Sequence, residues 1–489
     1  MKKFLLLFLC IITAFQMNAQ LVKWGNQVKL NQGIFYSGFT LQGKYLGNVN
    51  GSDLYTYYGY FAKFLKSVDA QAAFIVANGN TTKKFTDLTE TEYELIDVST
   101  VEDQVGITYM TGKKLEKRNI KMDFYTPGTL KRNKSNVLFS FNPIDKSYPF
   151  VKMIHSPNNQ YIGLVINGKH PETGKGTMIF KCYDKNFTEL WTSYYDFNNE
   201  GYPEIGDIVV SDNGKIVIQF FVYSSEKKKA LNNFQFVEMS GENTKELSYQ
   251  FQNKKIEISD YQLGCYGEDR YLMVFTEPKN VTGIKIDFVS ENTSEIISYK
   301  PYEGSWKIDK IVDLQNGKYT VAMQNRGIRE ITTRQNNMTT TTYYYWNRSF
   351  LFIGIDGGND EILYKKNLGR KFTVSQGIET YELPNVIVPY YFAKDGELCV
   401  LYNTDKKTED NVSNSKEEPF TVRFSMFKGR PDARLATISE NGNIKVKLLF
   451  NAKTEKGTFI PQFSHIDQDN NLVIVKVKKK NFTIGKYSL

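Results

Sequence analysis

A tight polar turn followed by an apolar strand recurs along this 489-residue chain. The clearest copy spans residues 211–221, where Ser-Asp-Asn-Gly precedes Lys-Ile-Val-Ile-Gln-Phe-Phe. Asn-Gly between apolar runs is a strong β-hairpin signal, because Gly accepts a positive φ and Asn tolerates one. Taking the second turn residue of each copy as an anchor gives Gly43, Asp103, Asn159, Gly214, Asp269, Gly317, Gly396 and Asn470. The repeat indicates one supersecondary unit used many times.

Each unit divides into four strands with no helical stretch between them. Successive anchors are 60, 56, 55, 55, 48, 79 and 74 residues apart, and the third unit predicts strands at 150–156, 161–167, 177–183 and 189–196. Four antiparallel strands in about 40 to 60 residues are typical of a β-propeller blade. Solenoid repeats, the alternative, are usually shorter and lack this rhythm. We predict an all-β propeller of eight four-stranded blades, or of seven if the weak first copy is not a blade.

The two ends of the chain predict how the ring closes. Residues 20–31 resemble an outermost strand, whereas the last unit offers only three strands, at 459–467, 472–478 and 482–489. We expect the N-terminal strand to complete the last blade and close the ring, which removes exposed sheet edges. Residues 20–489 are therefore predicted to be a single propeller domain.

Residues 1–19 have the features of a signal peptide. Lys2 and Lys3 precede the apolar stretch 4–15, and the small residue Ala19 marks the expected cleavage site. The stretch is too short to cross a bilayer, and no later segment is a transmembrane candidate. Without the leader the formal charge of +9 falls by two to +7, which gives no reason to expect nucleic acid as a partner. We expect an exported monomer in a Gram-negative bacterium, periplasmic, outer-membrane-associated or extracellular.

The sixth and seventh units are long because both carry an insertion between their second and third strands. The insertions are residues 325–342 and 403–419. Loops at this position share one face of a propeller with the loops between blades, so both insertions enlarge that face. Residues 325–348 predict a long hairpin, with Asn336 and Asn337 at its turn because Asn suits a left-handed conformation.

Four consecutive aromatic residues follow in the predicted hairpin. Strand alternation places Tyr343 and Tyr345 on one face and Tyr344 and Trp346 on the other. Exposed Tyr and Trp offer rigid contact area with a polar tip, which suits a protein or glycan partner. The competing interpretation is that the four residues pack between blades as part of the core. We predict a binding site for a protein or glycan here, on the long-loop face.

Three carboxylates, Asp207, Asp260 and Asp309, lie on successive predicted innermost strands, toward the mouth of the central channel. A glycosidase needs two carboxyl groups at a defined separation, so a carbohydrate-active enzyme is the alternative function. The competing interpretation is a set of hydrogen-bonded groups where the strands crowd the axis. No nucleophile or general base is recognisable beside them.

The remaining candidate residues give no sign of a metal or cofactor. His155 and His465 fall on predicted innermost strands, but no two histidines have metal-ligand spacing. The cysteines of the mature chain are sparse and odd in number, and we expect them to be free thiols: Cys182, Cys265 and Cys399. We therefore predict no cofactor and no metal.

Two segments resemble known propeller families. Residues 156–161, Ser-Pro-Asn-Asn-Gln-Tyr, resemble the Ser-Pro-Asp-Gly repeats of TolB-like and peptidase propellers. Residues 184–191, Asp-Lys-Asn-Phe-Thr-Glu-Leu-Trp, resemble the outer-strand motif of the eight-bladed quinoprotein and outer-membrane-assembly propellers. The chain has no Gly-x-Ser-x-Gly elbow, so the hydrolase of the peptidase family is not expected. The resemblances imply architecture without activity, and the predicted function is that of a non-enzymatic binding or scaffold protein.

Overall fold

The fold is all-β within the residues that the structure, a computed structural model, describes. These are 22–29, 42–49, 52–63, 66–76, 81–84, 93–112, 117–127, 129, 131–144, 149–197, 201–227, 230–251, 256–335, 338–376, 387–404, 412–414, 431–451, 455, 457–478 and 481–489. Their strands form eight antiparallel sheets, most of them four-stranded. In the described part of the chain, no helix has the length and apolar character needed to span a membrane.

The first half of the chain forms an N-terminal strand and four sheets. Strand β1 (Lys23–Lys29) comes first. Sheet 1 consists of β2 (Gln42–Val49), β3 (Ser52–Lys63), β4 (Lys66–Val76) and β5 (Thr81–Lys84). Sheet 2 consists of β6 (Tyr93–Val101), β7 (Gln104–Thr111), β8 (Arg118–Tyr125) and β9 (Arg132–Phe141). Sheet 3 consists of β10 (Val151–His155), β11 (Tyr161–Lys169), β12 (Gly176–Asp184) and β13 (Glu189–Tyr195). Sheet 4 consists of β14 (Tyr202–Val210), β15 (Ile216–Tyr223), β16 (Leu231–Ser240) and β17 (Asn243–Gln250).

The second half forms the other four sheets. Sheet 5 consists of β18 (Asp260–Cys265), β19 (Arg270–Thr276), β20 (Val281–Asp287) and β21 (Asn292–Tyr299). Sheet 6 begins with β22 (Trp306–Asp313), β23 (Lys318–Gln335), β24 (Met338–Asp356) and β25 (Ile362–Gln376). Sheet 7 consists of β26 (Tyr390–Lys394), β27 (Glu397–Thr404), β29 (Asp432–Ile438) and β30 (Ile444–Phe450), with β28 (Val412–Asn414) lying between β27 and β29 in the chain. Sheet 8 contains β31 (Thr458–Phe459), β32 (His465–Ile466), β33 (Asn471–Lys478) and β34 (Asn481–Ser488).

The predicted four-strand unit is confirmed, because consecutive strands of one unit pair in chain order in the third sheet and in most others. The turn residues adopt the left-handed conformation that the repeat requires. Asn159, Asp269 and Asn470 have φ angles of 56°, 55° and 58°, and Gly214 and Gly317 have φ angles of 80° and 74°. Four-stranded antiparallel sheets joined in this way are the architecture of a β-propeller.

The anchor predicted for the first unit is wrong. Gly43 lies inside β2, where it pairs with Tyr57, and β2 pairs with β3 as far as Val49 opposite Ser52. Residues 50–51, Asn-Gly in the sequence, are outside the described part of the chain. Gly is common in turns but also occurs within strands. One Gly in the sequence therefore does not show whether the chain reverses direction at that point.

The N-terminal strand joins the last sheet, as predicted. Strand β1 pairs antiparallel with β34, from Lys23 opposite Lys486 to Lys29 opposite Asn481. Sheet 8 therefore runs from its first strand through β33 and β34 to β1 at the outer edge. The first strand itself is divided into β31 and β32 by a 3-10 turn at Pro461–Phe463, which the sequence did not reveal.

Both long insertions take part in sheet 6. Strands β23 and β24, with 18 and 19 residues, continue the sheet as the predicted long hairpin, and Gln335 pairs with Met338. Asn336 and Asn337, the residues predicted to form the turn, are outside the described part of the chain. The second insertion does not stay with its own sheet, because β28 pairs with β25 and becomes a fifth strand of sheet 6. Residues 405–411 and 415–419 of that insertion are not among those described.

The core is a series of apolar layers between neighbouring sheets. Phe350 and Phe352 of sheet 6, for example, pack with Leu398 and Tyr402 of sheet 7, and all four side chains are buried. Comparable layers lie between sheets 4 and 5, 5 and 6, and 7 and 8. Burying both faces of each sheet accounts for the largely apolar second strands, such as β15.

Polar contacts also join neighbouring sheets near their first strands. Examples from sheet 1 round to sheet 8 are Thr100 to the Leu46 carbonyl, His155 to Asp97, Lys152 to Asp207, the Leu263 amide to Asp207, the Ile308 amide to Asp260, Tyr391 to Asp309, and Gln462 to the Pro389 carbonyl. Sheet 8 in turn contacts sheet 1, because the His465 ring stacks on the Tyr45 ring with their centroids 3.4 Å apart.

Candidate functional site

The three predicted carboxylates lie on first strands, but each is used to join two sheets. One oxygen of Asp207 is 3.2 Å from Lys152 Nζ, and the other accepts the Leu263 amide at 3.0 Å. Asp260 accepts the Ile308 amide at 2.6 Å. These contacts match the competing interpretation, hydrogen-bonded groups where the strands crowd together.

Burial affects the carboxylates unequally. Partial removal from water raises the pKa of Asp260, although the Ile308 amide and the Lys307 charge oppose that effect. Asp309 is held by Arg326, whose Nη2 lies 3.2 Å from one oxygen, while Gln324 and Tyr391 donate to the other. The side chain of Asp309 is only 5% exposed. Its oxygens are thus committed to protein donors.

The aromatic segment belongs to the long hairpin and is part core, part surface. Tyr345 is fully buried, whereas Tyr343, Tyr344 and Trp346 are half-buried. Tyr343, predicted to share a face with Tyr345, is not buried to the same degree, so burial alone does not separate the two predicted faces. Trp346 lies over Gly327 of the facing strand, where a Cβ would come within 2.6 Å of the indole.

Trp346 is also covered by a cation. The guanidinium of Arg348 lies 5.1 Å from the centre of the Trp346 ring, within range of a cation–π contact. The indole therefore has a fixed orientation, with one ring surface against the hairpin. A fixed, half-buried aromatic residue can contact a partner at low entropic cost.

A cavity of about 510 Å³ lies at the start of several first strands, and we call it the channel cavity. Four sheets contribute to its walls. Its lining residues are Tyr45, Ile308, Asp309, Lys310, Arg326, Val388, Pro389, Tyr390, Tyr391, Gln462, Ser464 and His465. In an antiparallel sheet the first strand begins at the end where the second and third strands meet. The channel cavity is therefore on the same side as the long hairpin.

Lys310 is the cation of the channel cavity that has no carboxylate of its own. The Lys310 side chain remains in contact with solvent. Nearby protein atoms remove part of its hydration, and this desolvation lowers the pKa of the amine. Arg326, in contrast, is paired with Asp309. Of the described residues that line the cavity, only Asp309 bears a carboxylate, so the lining carries one positive charge in excess.

A buried arginine lies behind the cavity wall. Arg370 is completely buried and donates to the Asn403 carbonyl at 2.8 Å, the Ile387 carbonyl at 2.7 Å and Gln324 Oε1 at 2.9 Å. Burial lowers its pKa to about 10, so the guanidinium stays charged at neutral pH. Gln324 connects Arg370 to Asp309, and this network holds the wall of the cavity in place.

His465, which was predicted to fall on an innermost strand, lines the channel cavity. Burial lowers its pKa, despite an Asp53 carboxylate 3.8 Å away, so the ring is neutral at pH 7. His155 lies elsewhere and is 2.9 Å from Asp97. Among the described residues, no group of three or more His, Cys, Asp or Glu side chains is placed to hold a metal ion.

The cysteines are free, as predicted. Cys182 and Cys399 are buried and Cys265 is partly buried. Burial raises the pKa of Cys182 and of Cys265 to about 12, and that of Cys399 to about 11. Thiols held in this way are poor nucleophiles at neutral pH, so they add no chemistry to the cavity.

Sequence reasoning missed most of the cavity lining. Lys310 follows Asp309 in the chain and Arg326 lies on the next strand, but neither was predicted to belong to a site. Tyr390 and Tyr391, at the start of the seventh unit, were not predicted either. One available signal was positional, because polar and aromatic residues at the starts of first strands face a propeller's axis. That rule requires correct strand bounds, and in sheets 7 and 8 the first strands are short.

Comparison with known proteins gives no family. No protein-family model matches the chain, and no curated protein matches it. Among solved structures, the chain is similar to the Dos1 propeller, with 8% identity, 96% of each chain covered and a TM-score of 0.45. It is also similar to a europium-containing methanol dehydrogenase, with 11% identity, 94% of this chain and 85% of the other covered, and a TM-score of 0.39. Neither similarity brings an activity to this chain.

Proposed function

We propose that the chain is an exported, closed eight-bladed β-propeller that acts as a non-enzymatic binding or scaffold protein in the envelope of a Gram-negative bacterium. The pairing of β1 with β34 supports closure, because the N-terminal strand then fills the outer edge of the last blade. The stacking of Tyr45 on His465 supports it as well, since it links the last sheet to the first. The signal-peptide features of residues 1–19 support export.

The observation that carries the binding function is the part of sheet 6 that continues beyond its first strand. We call residues 326–335 of β23 and 338–347 of β24 the hairpin extension. Strand β22 stops pairing where Trp306 faces Asn325, and β23 continues beyond that point to Gln335. At about 3.3 Å per residue, ten further residues project by roughly 33 Å. A blade does not need this length to pack against its neighbours.

The surface of the hairpin extension suits an acidic protein or glycan. The hairpin extension contains three Arg and one Glu, and Arg348 follows it directly. Of these arginines, Arg326 is paired with Asp309 at the base of the extension. Ile328 is 48% exposed, and Thr332 and Thr341 meet across the hairpin. Tyr344 and Trp346 add half-buried aromatic area. Basic residues around aromatic ones combine electrostatic attraction with rigid contact area.

The enzymatic alternative has less support from the same geometry. A glycosidase needs two carboxyl groups beside the substrate, and Asp309 is the carboxylate that lines the channel cavity within the described residues. Asp207 and Asp260 take backbone amides from neighbouring sheets. We therefore propose binding without catalysis.

Site-specific photo-crosslinking in the bacterium of origin tests the binding face. A photoreactive amino acid replaces Ile328 on the hairpin extension, and in a matched control it replaces Val289. Val289 is 70% exposed and follows a third strand, so it lies on the opposite face of the propeller. We expect a discrete crosslinked product from position 328 and none from position 289. Equal products from both positions, or none from either, would contradict the proposal.

The double substitution Tyr344→Ala with Trp346→Ala then asks whether the aromatic residues form the contact. We expect it to remove the crosslink at position 328 while the melting temperature stays within a few degrees of the wild-type value. A large drop in melting temperature with aggregation would mean that the pair belongs to the core, and the aromatic residues would no longer be assigned to the site.

A further inference from the structure

The channel cavity has the size of a small-molecule site. Its volume of about 510 Å³ lies within the range of roughly 300–1,000 Å³ that such sites occupy. Residues of four sheets and of the segments that precede their strands line it, so its shape depends on how these sheets pack together.

The charged side chains that line the cavity favour a negatively charged ligand. No described residue pairs with the Lys310 amine, and loss of hydration is the cause of its lowered pKa. Arg326 is shared with Asp309, which leaves one net positive charge on the lining. A ligand that brings one negative charge would offset the excess charge of the lining and could approach the exposed Lys310 amine directly.

The other lining groups select a polar ligand with a ring. Tyr45 and Tyr390 are half-buried and offer aromatic surface that can pack against the C–H face of a sugar, whereas Tyr391 is buried and donates its hydroxyl to Asp309. Ser464 also lines the cavity, but its hydroxyl and Nε of Arg326 are buried beneath the cavity surface, where neither has a hydrogen-bond partner in the described part of the structure.

We propose that the channel cavity binds a small sugar acid, a hydroxylated ring with one carboxylate, and that Lys310 pairs with the carboxylate. This goes beyond the proposed function, because the ligand enters the cavity while a macromolecular partner contacts the hairpin extension above it. The two sites lie on one side of the propeller, yet no residue of the aromatic pair Tyr344 and Trp346 lines the cavity.

Calorimetric titration of the purified mature chain tests this inference, with glucuronate as the probe. Glucose, which lacks the carboxylate, and acetate, which lacks the ring, are the comparison ligands. We expect glucuronate to bind at least tenfold more tightly than either. Absence of glucuronate binding at 10 mM, on the order of the weakest useful affinity, or equal affinity for glucose, overturns the proposal.

Lys310→Met keeps the length of the side chain and removes its charge. Hydrogen bonds to charged groups are among the stronger ones, so we expect affinity for glucuronate to fall by about 10- to 100-fold. Lys307→Met is the matched control, because Lys307 is on the same strand but bonds to the Ser259 carbonyl and does not line the cavity. It should change the affinity by less than about twofold, on the order of ordinary surface changes.

Lys310→Arg separates charge from folding. It restores a cation at the same place, so we expect an affinity closer to that of the wild type than to that of Lys310→Met. Equal affinities for Lys310→Met, Lys307→Met and the wild type would show that Lys310 does not contact the ligand, and the proposal would be wrong. Melting temperatures of all three variants, measured without ligand, confirm that each is folded.

Discussion

Replacing Arg370 tests the buried network behind the channel cavity. Arg370→Met keeps most of the side-chain volume and removes the guanidinium, which is completely buried among Phe350, Phe372 and Tyr402. The substitution removes the three hydrogen bonds that the buried guanidinium donates. Removing one member of a buried charged network is strongly destabilising for this reason.

The expected magnitude follows from the three hydrogen bonds, of 2.7, 2.8 and 2.9 Å. A hydrogen bond made by a charged group contributes about 1.5–3 kcal/mol, so the loss of three gives about 4.5–9 kcal/mol. The cost of burying the charge disappears with the guanidinium and offsets part of that sum. We therefore expect Arg370→Met to lower the free energy of unfolding by about 3–5 kcal/mol.

Urea or guanidinium unfolding followed by tryptophan fluorescence measures the effect. Arg370→Lys is the matched control, since it keeps the charge but cannot reach three acceptors, and we expect about half the loss. Gln324→Leu combined with Arg370→Met should be less than additive, because the two side chains share a hydrogen bond. A change below about 0.5 kcal/mol for Arg370→Met, the size of an ordinary surface effect, would refute the reasoning.

Two further predictions concern closure and acid stability. Deleting residues 20–31 removes the five paired positions of β1, and at about 0.5–1.5 kcal/mol per backbone hydrogen bond the free energy of unfolding should fall by roughly 2.5–7 kcal/mol in denaturant titrations. A synthetic peptide of the same residues should restore it, and an unchanged midpoint would contradict closure by this strand. The hydrogen bond from Lys215 lowers the pKa of Asp269 in the folded protein. The ionised carboxylate therefore stabilises the fold above the unfolded pKa of about 3.9. This stabilisation is lost as the pH falls through the lower folded pKa. Asp269→Asn keeps the left-handed turn and should show a weaker dependence of stability on pH between about 5 and 2, and an identical dependence would contradict the assignment.

Much of the strand pattern could be predicted from the sequence because its signals are local. In the third unit the predicted strands agree with β10 to β13 to within about two residues, which is the usual uncertainty of strand ends. The donation of the N-terminal strand could also be predicted, since three strands at one end of the chain and one at the other leave a single economical pairing. The misplaced anchor Gly43 shows where local signals end, because Gly alone does not distinguish a strand from a turn.

The sites were predicted less well because they depend on which strands become neighbours. Asp309 was identified, but its role follows from Arg326 on the next strand and Tyr391 on the next sheet. The aromatic segment was placed on the correct hairpin, but the complete burial of Tyr345 among half-buried neighbours depends on the tertiary packing. Nothing in residues 403–419 indicated that β28 would join sheet 6, because its three paired residues carry no pattern of their own.

The sequence by itself determined the repeated hairpins, the all-β class and the positions of the long insertions, because turn chemistry and strand alternation act between residues close in the chain. Only the tertiary structure decided that Tyr45, Lys310, Tyr391 and His465 line one cavity. These residues are far apart in the chain and meet because four sheets bring their first strands together. The excess charge of that cavity likewise depends on how these four sheets pack, since their arrangement pairs Arg326 with Asp309 and leaves Lys310 without a carboxylate.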